Sequence, residues 1–149
     1  MSATSRYLTC EGREIHITDW GAGNEELETA WHGLAQTEHD MDAIAAHLSQ
    51  RYRVICPDPL GRALSQWSPK PAAEYCLAFY ERLALSLLDQ LAIARCRWLG
   101  ASMAAPSGCA PQRARCAGAC IAWCSTTSAR NWPKLRSSAS AALRAARRP

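Results

Sequence analysis

Arg95-Cys96-Arg97-Trp98-Leu99-Gly100-Ala101-Ser102-Met103 is the stretch that decides how this chain is read. Its first five residues read as a buried strand, and Gly100-Ala101-Ser102-Met103 closes it with small residues and a serine. Beyond Met103 the chain changes character. All 13 acidic residues lie in residues 1–103 beside 9 of the 17 Lys and Arg, a formal charge of −4. Residues 104–149 carry the other 8 basic side chains and no acid, a charge of +8. The net +4 is therefore an average over two unlike segments, not a property of one folded surface.

Upstream of the decisive stretch, strand and helix signals alternate. Glu14-Ile15-His16-Ile17-Thr18-Asp19-Trp20 alternates polar with apolar residues, as a half-exposed strand does, and Gly21-Ala22-Gly23-Asn24 supplies a turn, so that an antiparallel hairpin is expected near the start. Glu28 to Trp31 reads as a short strand ending at His32-Gly33. Thr37-Glu38-His39-Asp40 resembles a helix-capping sequence, and Met41, Ile44, Ala45 and Leu48 come next on one helical face, which predicts a helix of about three turns. Tyr52 to Cys56 is a β-rich run that stops at Pro57. Leu77, Tyr80, Ala84, Leu87, Leu88 and Leu91 trace a second, longer helical face. Strand, helix, strand, helix, strand is the pattern of a parallel α/β sheet.

Composition bounds the rest. A chain of 149 residues that is 48% apolar can bury one ordinary core. Met1 to Gly21 has no apolar stretch of signal-peptide length and nothing approaches the run of about 20 apolar residues that spans a bilayer. The expectation is a cytoplasmic protein with reduced cysteines. Cys109, Cys116, Cys120 and Cys124 lack the Cys-x-x-Cys spacing of a zinc ribbon, so no metal is expected.

Three motifs in order resemble the α/β-hydrolase family: Trp31-His32-Gly33-Leu34, Asp58-Pro59-Leu60-Gly61-Arg62-Ala63-Leu64-Ser65, and Gly100-Ala101-Ser102-Met103. The resemblance covers roughly the first two thirds of the chain, and implies the N-terminal portion of an α/β-hydrolase sheet, about five strands with flanking helices, over residues 1–103. It also implies the chemistry. In the family the serine sits on a tight strand-to-helix turn that exposes its hydroxyl and leaves the next backbone N–H free for an oxyanion. Here those are Ser102, the nucleophile, and Met103, while the second oxyanion N–H maps to Leu34. His32, Gly33 and Gly100 would shape the loops, and His32 is not the family's catalytic base. The expected partner is a small-molecule ester, lactone or related carbonyl compound, with no cofactor, no membrane and no nucleic acid.

Taken singly, these residues have plainer readings. A Gly-x-Ser triplet is common in small-residue loops, a lone His32 is more often a hydrogen-bonded loop histidine, and Asp58 to Ser65 reads as structural in either case. Order and position give Ser102 its weight.

Three features depart from the family pattern. Ala104 stands where Gly-x-Ser-x-Gly has its last glycine, and Ala63 replaces a glycine of Asp-x-x-Gly-x-Gly-x-Ser. The triad order is Ser, then Asp or Glu, then His, yet nothing after Ser102 is Asp, Glu or His; His16, His32, His39 and His47 all precede it. A serine without a base is a poor nucleophile at neutral pH, so the chain as translated is expected to be inactive.

A one-base deletion directly after Met103 accounts for Ala104 and for the missing triad residues. Losing one G from ATG-GGC-GGC turns Met-Gly-Gly into Met103-Ala104-Ala105. Farther on, Trp123 to Ser140 is compatible with a second frame that begins Leu-Val-Leu-Asn-Asp, a sixth strand of the same family; in it Trp123-Cys124 must give Val, Asn131-Trp132 Leu and Trp132-Pro133 Ala. On this reading residues 104–149 are an out-of-frame, irregular basic tail, and its cysteines need no function. The alternative is a small α/β binding module whose tail, with Arg113, Arg115, Arg130, Lys134, Arg136, Arg144, Arg147 and Arg148, contacts nucleic acid or an anionic membrane. That tail has Trp123 and Trp132 as its aromatics and no recognisable nucleic-acid fold.

Overall fold

A computed structural model of the chain describes residues 3–25, 27–31, 38–94, 96–101 and 116–123. It opens with a hairpin in which β1 (Ala3–Cys10) and β2 (Arg13–Trp20) pair antiparallel from Ala3↔Trp20 to Cys10↔Arg13. Glu11 and Gly12 close it with φ of 51° and 70°, the left-handed pair that matches a two-residue loop to the twist of its strands. The hairpin expected near the start is thus present but turns at Glu11 and Gly12, while Gly21 to Asn24 leads out of β2. Asn24 ties that exit down by donating from Nδ2 to the carbonyls of Ser49 and Tyr52 at 2.9 and 3.0 Å.

Beyond it come β3 (Leu27–Trp31), a 3-10 turn (Glu38–Met41), α1 (Asp42–Leu48), β4 (Arg53–Pro57), α2 (Pro71–Glu74), α3 (Leu77–Gln90), β5 (Cys96–Ala101) and β6 (Cys116–Trp123). The sheet order is β1-β2-β4-β3-β5-β6. β2 and β4 are antiparallel, whereas β4-β3, β3-β5 and β5-β6 are parallel.

The helices cover the two faces. α1 and the turn before it place Met41, Ile44, Ala45 and Leu48 against Ala30, Val54, Cys56 and Leu99, the face expected from their spacing. Its N-cap is Met41, with no side-chain cap bond, because the chain enters the helix through the 3-10 turn; Thr37 lies outside the described residues. α3 sets Phe79, Tyr80, Leu83, Ala84 and Leu87 against Ile15, Ile17, Trp31, Ile55 and Trp98. Leu77, expected on that face, lies in the first turn and is exposed. Phe79 and Leu83 take up the packing.

Because both faces are covered and β4 pairs along its second edge, β2 is buried from Ile15 through Asp19, not half-exposed as its alternation suggests. The buried Asp19 carboxylate accepts from Arg6 and from Arg53, each at 2.7 Å. α3 ends in a Schellman motif: the Ile93 N–H donates to the Leu88 carbonyl at 2.8 Å and the Ala92 N–H to that of Asp89 at 3.0 Å. Ala92, with φ of 55°, holds the left-handed position, and Leu88 and Ile93 share a small apolar cluster with Cys96.

The tail is not irregular throughout. Cys116 to Trp123, eight residues with no charge, pairs parallel with β5, from Cys96↔Cys116 to Ala101↔Trp123, with a register shift between Cys96 and Trp98. β5 is therefore an interior strand; among the described residues the five strands expected over residues 1–103 are joined by β6 from beyond that range. An uncharged apolar run can satisfy a strand edge whatever its origin, since the ladder is made by backbone groups.

Candidate active site

Two of the three motifs begin at the ends of neighbouring strands. β3 and β5 are paired in parallel as far as Trp31↔Gly100, so both finish at one edge of the sheet. The Trp31 and Trp98 rings, one from each strand, stack at 5.2 Å and 30°, fixing the two strands at that end. His32 succeeds Trp31 and Ser102 succeeds Ala101 in the chain. Parallel neighbours in such a sheet deliver the loops after them to a common crevice. Of the expected site residues Gly100 is described, buried within β5; His32, Gly33, Leu34, Ser102 and Met103 lie outside the described residues.

The third motif, after β4, forms a tight turn that is fastened to β2. Asp58 is fully buried. Its backbone N–H donates to the His16 carbonyl at 3.0 Å, the Ser65 hydroxyl donates to its carbonyl at 2.6 Å, and the His16 N–H donates to Ser65 Oγ at 2.8 Å. Gly61 has φ of 75°, and a Cβ there would lie 2.5 Å from the Tyr75 hydroxyl oxygen. Ala63, where the family pattern has glycine, adopts φ of 38°, a conformation that favours glycine. The Leu60 carbonyl accepts from the Tyr80 hydroxyl at 3.0 Å. These contacts agree with the structural role expected for Asp58 to Ser65.

A neighbouring pair holds the segment after the turn. Arg13 donates to Glu74 at 2.6 and 2.9 Å and the Ser68 hydroxyl donates to it at 2.7 Å. The Arg13 hydrogen bond first, and then that of Ser68, bring the Glu74 carboxyl down to about 2.

One cluster was not legible in the sequence. His16, read there as a polar residue on an alternating strand, is buried, and its Nδ1 lies 3.0 Å from Asp58 Oδ2. Its Nε2 lies 2.7 Å from Ser5 Oγ on β1. Ser5 and Asp58 stand 11 and 42 positions from His16, separations that no local spacing connects. Among the described residues no group of His, Cys, Asp and Glu could hold a metal ion, and no helix is long and apolar enough to cross a membrane.

No protein-family model matches the chain. Over 86 residues it is 35% identical to a 3-hydroxybutyrate-oligomer hydrolase of Cupriavidus necator, a stretch that is 57% of this chain and 29% of that protein. Its fold matches an epoxide hydrolase of Vigna radiata with a TM-score of 0.70 at 16% identity, over 78% of this chain and 38% of the other. It also matches a serine hydrolase of Cycloclasticus zankles with a TM-score of 0.71 at 17% identity, over 77% and 43%. The chain spans less than half the length of each of these proteins.

Proposed function

We propose, from the α/β-hydrolase fold of the described residues, that Ser102 is the nucleophile of a serine hydrolase acting on small esters, lactones or related carbonyl compounds. Its hydroxyl attacks the carbonyl carbon, the N–H groups of Met103 and Leu34 donate to the developing oxyanion, and water releases the acyl group from the serine. The observation that supports this reading is the pairing of Trp31 with Gly100 on parallel neighbours, which sets the ends of β3 and β5 at one sheet edge. His32, Gly33 and Gly100 shape the two loops. The name of the Cupriavidus relative, a hydrolase of 3-hydroxybutyrate oligomers, supports an ester as the substrate class. No cofactor is needed for this chemistry.

Turnover by this route also needs a base and an orienting acid, which the family order puts after the serine. Residues 103–149 contain no Asp, Glu or His. We therefore read 1–103 as the in-frame part of the hydrolase and 104–149 as the product of a one-base deletion after Met103, a segment that supplies neither the base nor the acid. β6 and the sixth strand of the second frame share Trp123 alone.

The test is to express the gene with one G restored after the Met103 codon and read to its own stop, and to assay an aryl butyrate. The restored protein is expected to hydrolyse it over many turnovers, and its Ser102→Ala variant to release at most about one aryl group per chain. A restored protein without turnover, or repeated turnover that survives Ser102→Ala, would overturn the proposal.

A further inference from the structure

The opening hairpin carries chemistry that the proposed function does not use. Asp58 is fully buried and His16 is 1% exposed, whereas Ser5 lies on the exposed side of β1. With Asp58 ionised and the imidazole neutral, the carboxylate accepts from His16 Nδ1, and Nε2, 2.7 Å from Ser5 Oγ, is the ring atom that takes the hydroxyl proton. A serine bonded to one imidazole nitrogen and a carboxylate on the other is the arrangement that activates a hydroxyl for attack, recognised by geometry, not by position in a sequence. Asp58 is itself held by the Ser65 hydroxyl on its carbonyl and by the Leu64 N–H, 3.4 Å from Oδ2. The acceptor end of the relay is therefore fixed by the turn.

Ser5 and Tyr7 stand on the same face of β1, two residues apart. The Tyr7 ring lies 5.2 Å from that of His16 at 59° and is 49% exposed, which places an aromatic surface beside the hydroxyl. β1 is an edge strand without the strand-to-helix turn that aims N–H groups at an oxyanion. The electrophile must therefore bring a leaving group that departs readily.

We propose that Ser5, His16 and Asp58 form a base-primed serine nucleophile, separate from Ser102, that accepts the acyl or phosphonyl group of an activated electrophile such as an aryl ester or a fluorophosphonate. Ser5 Oγ bonds to the acyl carbon or phosphorus as its proton passes to His16 Nε2. The bond to the leaving group breaks with its electron pair, and the leaving group takes that proton from His16.

The experiment treats the full chain with a fluorophosphonate and locates the adduct by peptide fragmentation. An adduct on Ser5 is expected in the wild type and in Ser102→Ala. In Ser5→Ala that adduct disappears while the melting curve is unchanged. His16→Gln is expected to slow labelling by about 100-fold or more, the scale of general-base assistance. Labelling of Ser5 is also expected to vanish in the urea-unfolded chain, a comparison that needs no folded variant. A wild type without a Ser5 adduct, or one labelled as fast unfolded as folded, would overturn the inference. The Ser5 peptide alone decides it, whatever the Ser102 peptide shows.

Discussion

Replacing Ala92 by glycine is expected to stabilise the protein although it removes a methyl group. Ala92 occupies the left-handed position of the Schellman motif that ends α3, with φ of 55°, and an L residue there costs about 1–2 kcal/mol through its Cβ. The side chain is exposed, so its loss sacrifices no buried area. The opposing term is the greater freedom of glycine in the unfolded chain, about 0.4–1 kcal/mol. The difference favours Ala92→Gly by about 0.8 kcal/mol, within a span of about 0–1.6, and each kcal/mol is worth about 2–4 °C in Tm for a chain of this size. The motif's hydrogen bonds, Ile93 N–H to Leu88 and Ala92 N–H to Asp89, are backbone groups that the substitution leaves in place. Urea unfolding, with the midpoint and slope fitted separately, measures the difference directly. A lower midpoint at unchanged slope would refute the assignment of left-handed strain to Ala92.

The converse substitution, Gly61→Ala, is expected to destabilise by about 2–4 kcal/mol, since it combines a left-handed φ of 75° with a methyl placed 2.5 Å from the Tyr75 hydroxyl oxygen; the same urea titration reads it. Glu74 governs part of the acid limb. Its carboxyl is held at about 2 in the fold against an ordinary 4.5, so its contribution is present above pH 4.5 and is lost as pH falls toward 2. Glu74→Gln should flatten the pH dependence of the urea midpoint across that window, and an unchanged slope there would remove Glu74 from the account.

What was legible in the sequence was whatever a local period encodes. Ile44, Ala45 and Leu48 repeat at helical spacing and do face the sheet, as do Tyr80, Ala84, Leu87 and Leu88. Strands at 27–31, 53–57 and 96–101 fell within a residue or two of their apolar runs. β1 was not legible, because Ala3 to Cys10 mixes Ser, Arg, Tyr and Thr and is mostly exposed outside one face. The depth of β2 was misjudged because alternation reports which side chains are polar, whereas burial depends on β4 arriving along its far edge. The Ser5, His16 and Asp58 cluster needed the hairpin register and the β4 turn together. β6 was missed for a different reason: composition alone marked its residues as foreign to the fold, and a backbone ladder is indifferent to composition. The candidate active site itself was read entirely from motif order, since the side chains at its centre carry no periodic signal.

The strand order has a consequence for the time course of synthesis. β1 and β2 close over a two-residue loop, a microsecond event for a hairpin. β3 has no such neighbour: it pairs with β4 from Leu27↔Arg53 and with β5 from Glu28↔Arg97. At about 5–20 residues per second, the 68 residues between Glu28 and Arg97 take roughly 3–14 s to emerge. Throughout that interval a central strand of the finished sheet presents an open edge to the ribosome's surroundings. The nascent chain thus passes through a window of exposure to strand-capping chaperones and to its own neighbours on a polysome, and that window closes with the arrival of the very strand that leads to Ser102.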